Sequence, residues 1–79
     1  MRALLVGAGA MGQNWAKNLD QHPDVRLAGW VDIRPDAAAQ AAEKLAIPVE
    51  QCGDDYARAL AELRPDFVVD VTIPEAHHD

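Results

Sequence analysis

The stretch Ala3-Leu4-Leu5-Val6-Gly7-Ala8-Gly9-Ala10-Met11-Gly12 decides how the rest of the chain is read. Four apolar residues in a row predict a short strand covered on both faces, as in a parallel sheet. A G-x-G-x-x-G turn follows at once and leads into helical spacing. Each glycine has its own physical reason. Gly7 permits the tight turn out of the strand, Gly9 lets a pyrophosphate approach the backbone with no Cβ in the way, and Gly12 lets the helix pack close to the strand. The first N–H groups of the helix, from Ala10 and Met11 onward, and the positive end of its dipole then face the anion. Alone, such a turn is weak evidence, so the context has to carry the reading.

That context is an alternation of strands and helices with short connections. Met11, Trp15 and Leu19, with Ala16 beside them, recur at helical spacing and predict the buried stripe of a first helix. Gln13, Asn14, Lys17 and Asn18 are expected to face water. His22-Pro23-Asp24 ends that helix. Arg26 to Val31 reads as a second strand ending on Asp32. Pro35 and Asp36 then open a second helix, with Ala38, Ala41, Ala42 and Leu45 as a narrow apolar stripe. Val49-Glu50-Gln51 is the expected third strand. Asp54 or Asp55 caps a third helix whose inner side carries Tyr56, Leu60 and Leu63. Phe67 to Thr72 is the fourth strand, and Pro74-Glu75-Ala76-His77 has the form of a further helix start.

Strand–helix alternation implies right-handed crossovers and a parallel sheet. The fold class is therefore α/β: a partial doubly wound, Rossmann-type sheet with strand order 3-2-1-4. The ligand crevice is expected between strands 1 and 4. Residues 1–79 read as the first half of a dinucleotide-binding domain, strands 5 and 6 being absent. The edge of strand 4 is an expected place for self-association.

Composition narrows the function. The net charge of −6 is spread along the chain, which argues against nucleic acid or an anionic membrane surface as partner. A phosphate ligand held by backbone dipoles is compatible with it. Cys52 is the only cysteine and reads as a small half-buried side chain, so no internal disulfide forms and a reducing cytoplasm is the simplest setting. The apolar run after Arg2 is too short for a signal peptide, and no stretch approaches a membrane span.

Asp32 lies twenty residues beyond Gly12, at the carboxyl end of the second strand. A carboxylate there can accept the hydroxyls of an adenosine ribose, which favours NAD because a 2′-phosphate would be repelled. Arg34, just beyond Ile33, can pair with such a phosphate or stack on adenine, which keeps NADP open. Asp70, unusual in an apolar strand, is expected to reach the crevice or to find a hydrogen-bond donor. His77 and His78 point about 100° apart on a helix, so no metal site is read here. The serine-free chain offers no nucleophile–base pair either.

Val6 to Gly12, Gly29-Trp30-Val31-Asp32 with Pro35, Asp66 to Val69, and Thr72-Ile73-Pro74-Glu75-Ala76-His77 together resemble the N-terminal part of the Gfo/Idh/MocA oxidoreductases. The last segment resembles the family's T-P-P/N-x-x-H turn, with Ile73 where the first proline usually stands. The resemblance implies that Thr72, Ile73, Pro74 and His77 lie on the cofactor side. It also implies a parent enzyme that moves hydride between a nicotinamide and a hydroxyl-bearing carbon of a small-molecule substrate such as a sugar or polyol. The family's E-K-P lysine has no counterpart within these residues, so no catalytic residue is expected in them. A nucleotide-sensing regulatory module of the kind that gates potassium transporters shares the strand, the turn and the acid. It is the rival reading, with a minimised binding-only fragment as a third.

Overall fold

In the computed structural model, which describes residues 1–34 and 36–71, seven elements follow in the expected order. They are β1 (Arg2–Val6), α1 (Ala10–Gln21), β2 (Arg26–Val31), α2 (Ala37–Leu45), β3 (Gln51–Gly53), α3 (Tyr56–Leu63) and β4 (Phe67–Asp70). The four strands form one parallel sheet in the order β3-β2-β1-β4. This is the order expected of a Rossmann-type sheet.

Because β1 is interior, its alternate residues feed two different cores. Ala3 and Leu5 join Ala16 and Leu19 of α1 and the alanines of α2 on one face. Leu4 and Val6 join Ala59 and Leu63 of α3 on the other. An irregularity in the β1–β2 register, between Ala3 and Leu4, lets Leu27 and Trp30 share the α1/α2 face although they are three residues apart. Trp30, Leu4 and Leu5 are fully buried, and each contributes about 1.5–3 kcal/mol by leaving water.

Four details differ from the sequence expectation. In α1 the buried residues are Gly12, Ala16 and Leu19, while Met11 and Trp15 are 55% and 43% exposed. Gly12 is drawn against the Gly7 carbonyl, which turns the neighbouring stripe outward. In α3 the inner residues are Ala59 and Leu63, whereas Tyr56 and Leu60 are exposed. The third strand lies two residues later than Val49–Gln51. Its pairing runs from Gln51 opposite Gly29 to Gly53 opposite Val31, and Glu50 is held outside the strand by ion pairs to Arg2 and Arg26. The second helix begins at Ala37, with Asp36 in a left-handed conformation (φ 66°) as its N-cap.

Other expectations stand. Asp55 caps α3 by accepting the Arg58 N–H at 3.0 Å. Ala38, Ala41 and Ala42 are the buried face of α2, and Cys52 is partly buried. Burial pushes its thiol pKa up. Beyond β4, Val71 still donates its N–H to Val6 at 2.9 Å. Among the described residues no helix is long and apolar enough to cross a membrane.

Candidate dinucleotide-binding site

The turn between β1 and α1 is built by a left-handed glycine and a close approach. Gly7 has φ 112°, a conformation that side-chain-bearing residues rarely adopt. A Cβ on Gly12 would lie 2.1 Å from the Gly7 carbonyl oxygen, so only glycine fits where α1 crosses β1. A Cβ on Gly9, by contrast, would meet nothing within 4 Å. The space over Gly9 is open, as the pyrophosphate reading requires.

Helix α1 begins without a side-chain cap. Gly9 is its N-cap, no side chain bonds there, and the first turn carries no acid. The first intrahelical bond runs from the Gln13 N–H to the Gly9 carbonyl at 2.9 Å. The N–H groups of Ala10, Met11 and Gly12 therefore precede the helical ladder and carry the positive end of the dipole. Such a terminus suits an anion, and a buried or partly enclosed one gains most from it.

The turn is pinned from the end of β2. Gly7 donates its N–H to the Val31 carbonyl at 2.8 Å. Its own carbonyl accepts the indole N–H of Trp30 at 2.7 Å. The Ala8 N–H is donated to Oδ2 of Asp32 at 2.7 Å, and the Ala8 carbonyl accepts the Gln13 side-chain amide at 3.1 Å.

Asp32 is only 8% exposed and is fully engaged. Besides the Ala8 N–H, it accepts the Arg34 backbone N–H at 2.8 Å and two guanidinium bonds, Nε to Oδ1 at 2.9 Å and Nη2 to Oδ2 at 3.1 Å. The Arg34 guanidinium, aided by the two backbone N–H groups and opposed by burial, holds the carboxyl well below the usual carboxylate range, at about 2. Asp32 is thus charged at any physiological pH.

A cleft opens over this arrangement. It is bounded by Gly7, Ala8, Gly9, Met11 and Gly12 from the turn, by Asp32, Ile33 and Arg34 from the end of β2, and by Val71 after β4. It sits where strand order reverses, between β1 and β4, at the carboxyl ends of the strands. The structure thereby brings together Gly7, Gly9, Met11, Gly12, Asp32, Ile33 and Arg34 of the residues singled out from sequence. Ala10 opens α1 beside them but is not part of the cleft wall. Thr72, Ile73, Pro74 and His77 lie outside the described residues. Asp70 is exposed opposite Val6, is not part of the cleft wall, and has an interaction partner of its own. Among the described residues no group of acids, histidines and cysteine could hold a metal.

Sequence reasoning missed Trp30, Gln13 and Val71. Trp30 read only as a strand apolar residue, though a buried indole N–H always calls for a polar partner. Gln13 read as solvent-facing, yet its position in the first turn lets the amide reach back over the loop.

A parallel 3-2-1-4 sheet with an uncapped glycine turn and a strand-end carboxylate defines a Rossmann-type dinucleotide-binding domain. The family model described as "Oxidoreductase family, NAD-binding Rossmann fold" matches residues 1–79, and the chain belongs to that family, Gfo/Idh/MocA, with NAD as its cofactor. Among solved structures, it is similar to GenD2 from gentamicin A biosynthesis in complex with NAD, at 29% identity and a TM-score of 0.76, covering 91% of this chain and 20% of that one. It also resembles myo-inositol 2-dehydrogenase from Lactobacillus plantarum, at 20% identity and a TM-score of 0.77, covering 92% of this chain and 21% of that one. The chain thus spans about a fifth of each of these proteins. No curated protein gives a significant sequence match.

Proposed function

We propose that residues 1–79 form the first half of the dinucleotide-binding domain of an NAD-dependent oxidoreductase acting on a hydroxyl-bearing carbon of a sugar or polyol. The observation that carries the reading is the uncapped start of α1 opening onto the same cleft as Asp32. In this reading the backbone of Gly7, Gly9, Ala10, Met11 and Gly12 cradles the pyrophosphate. Asp32 receives the adenosine ribose, and Ile33 and Arg34 flank the adenine. Thr72, Ile73, Pro74 and His77 are assigned to the cofactor side by their resemblance to the family's loop. Bound there, a nicotinamide supplies hydride transfer, while these residues bind and orient it. The general acid and base are assigned to the rest of the protein. A cytoplasmic setting and association through the β4 edge complete the proposal.

Arg34 bears on the choice between NAD and NADP. Its guanidinium occupies both Asp32 oxygens, so a ribose diol must compete with it, whereas a 2′-phosphate would draw it away. NADP is accordingly accommodated as a second cofactor. NADH and NADPH fluorescence titrations test the reading. Gly9→Val should abolish binding of both, Asp32→Ala should weaken NADH about tenfold, and Arg34→Ala should weaken NADPH more than NADH. Unchanged NADH affinity in both Gly9→Val and Asp32→Ala would overturn the site.

A further inference from the structure

We infer that Trp30 is a positioning residue for the phosphate-binding turn: its indole N–H holds the carbonyl of the Gly7–Ala8 peptide and so sets the orientation of the turn from which α1 departs. The inference rests on the assignment of that turn as the pyrophosphate cradle.

The Gly7–Ala8 peptide is one rigid plane with a single acceptor and a single donor. Its carbonyl oxygen is held by Trp30 Nε1 at 2.7 Å, and its N–H is held by Asp32 Oδ2 at 2.7 Å. Between these two, Val31 accepts the Gly7 N–H at 2.8 Å. Three consecutive residues at the end of β2 therefore grip one glycine and the peptide after it. That matters because Gly7, at φ 112°, has the freedom to turn the plane over. The grip removes this freedom before any ligand arrives, and preorganised donors bind an anion without the cost of ordering them first.

The two contributions of Trp30 are separable. Its rings fill the core beside Leu5 and Ala16, where volume alone matters. Its N–H meets a carbonyl tucked under Gly12, where a Cβ would stand only 2.1 Å away and where a lost donor would leave a buried acceptor unsatisfied. A side chain of similar bulk without the N–H keeps the first contribution and forfeits the second.

The test measures NADH affinity and thermal stability in four variants of the protein. Trp30→Phe removes the donor. A second variant replaces Trp30 by benzothienylalanine through semisynthesis, with sulfur where Nε1 stood, and decides the matter if the first fails to fold. Leu27→Ala damages the same core away from the turn, and Gly9→Val blocks the cradle itself. The inference expects both donor-less variants to raise the NADH Kd about tenfold and to move the Ala8 and Gly9 amide resonances. It expects Leu27→Ala, however destabilised, to bind within about twofold of wild type. Wild-type affinity in the donor-less variants, with binding lost in Gly9→Val, would overturn the inference and leave the cradle standing. Wild-type affinity in Gly9→Val would overturn the cradle and the inference together.

Discussion

Replacing Gly12 by alanine is the sharpest structural test of how the turn is built. An added methyl would lie 2.1 Å from the Gly7 carbonyl oxygen, 2.7 Å from its carbon and 3.4 Å from the Val71 side chain. The first two are backbone atoms of a peptide clamped by Trp30 and Asp32, so no flexible group can yield. Restoring ordinary contact moves α1 away from β1 by roughly 1 Å, and overpacking against backbone that cannot yield lies at the upper end of the usual range, about 2–3 kcal/mol. Alanine's better helix propensity returns at most about 1 kcal/mol, leaving a net loss of about 1–2 kcal/mol. In a domain of this size each kcal/mol lowers Tm by roughly 4–8 °C, so circular dichroism melts should show a fall of about 5–15 °C. NADH affinity should fall with it, because the displaced helix carries the first-turn N–H groups. Gly9→Ala is the matched control: its methyl meets nothing within 4 Å, so Tm should stay within a few degrees while binding weakens. A Gly12→Ala protein as stable as wild type would refute the close-approach account.

Two further outcomes are expected. Asp32, held at about 2, contributes stability above its ordinary value near 4 and loses it as pH falls through 2. The shift sets a ceiling of about 2.5 kcal/mol, and because the Arg34 side chain is 63% exposed, solvent screening reduces this to about 1 kcal/mol. In chemical denaturation at pH 7, Asp32→Asn should be less stable by that amount, and the difference from wild type should close between pH 4 and pH 2; a constant difference would contradict the assignment. Cys52, partly buried with a raised pKa, should alkylate with iodoacetamide more slowly at pH 8 than free cysteine, and equal rates would show the strand end to be open.

Much of this was legible in the chain. The apolar run Ala3–Val6, the glycine turn and Asp32 at its spacing foretold the crevice, because each serves a local rule that sequence spacing expresses directly. The stripe of α1 was less legible. Periodicity finds a helix but cannot choose between the adjacent rows Met11–Trp15 and Gly12–Ala16–Leu19. A contact with Gly7, five residues back, makes that choice. The third strand was displaced for a similar reason, since Glu50 is claimed by Arg2 and Arg26 from other strands. Trp30 was invisible as a polar residue because its partner is a backbone carbonyl that only the folded sheet brings within 2.7 Å. Asp32 was legible in place but not in company, for nothing in its spacing told that Arg34 would fold back onto both its oxygens.

The central claim is that the dinucleotide binds over the start of α1 and beside the end of β2. Amide chemical-shift mapping during titration with NAD tests it most directly. The account predicts the largest shifts at Gly9, Ala10, Met11 and Gly12, with a second group at Ile33 and Arg34. Largest shifts at the far end of the sheet, around Gln51 to Arg58, with the glycine turn unmoved, would contradict it.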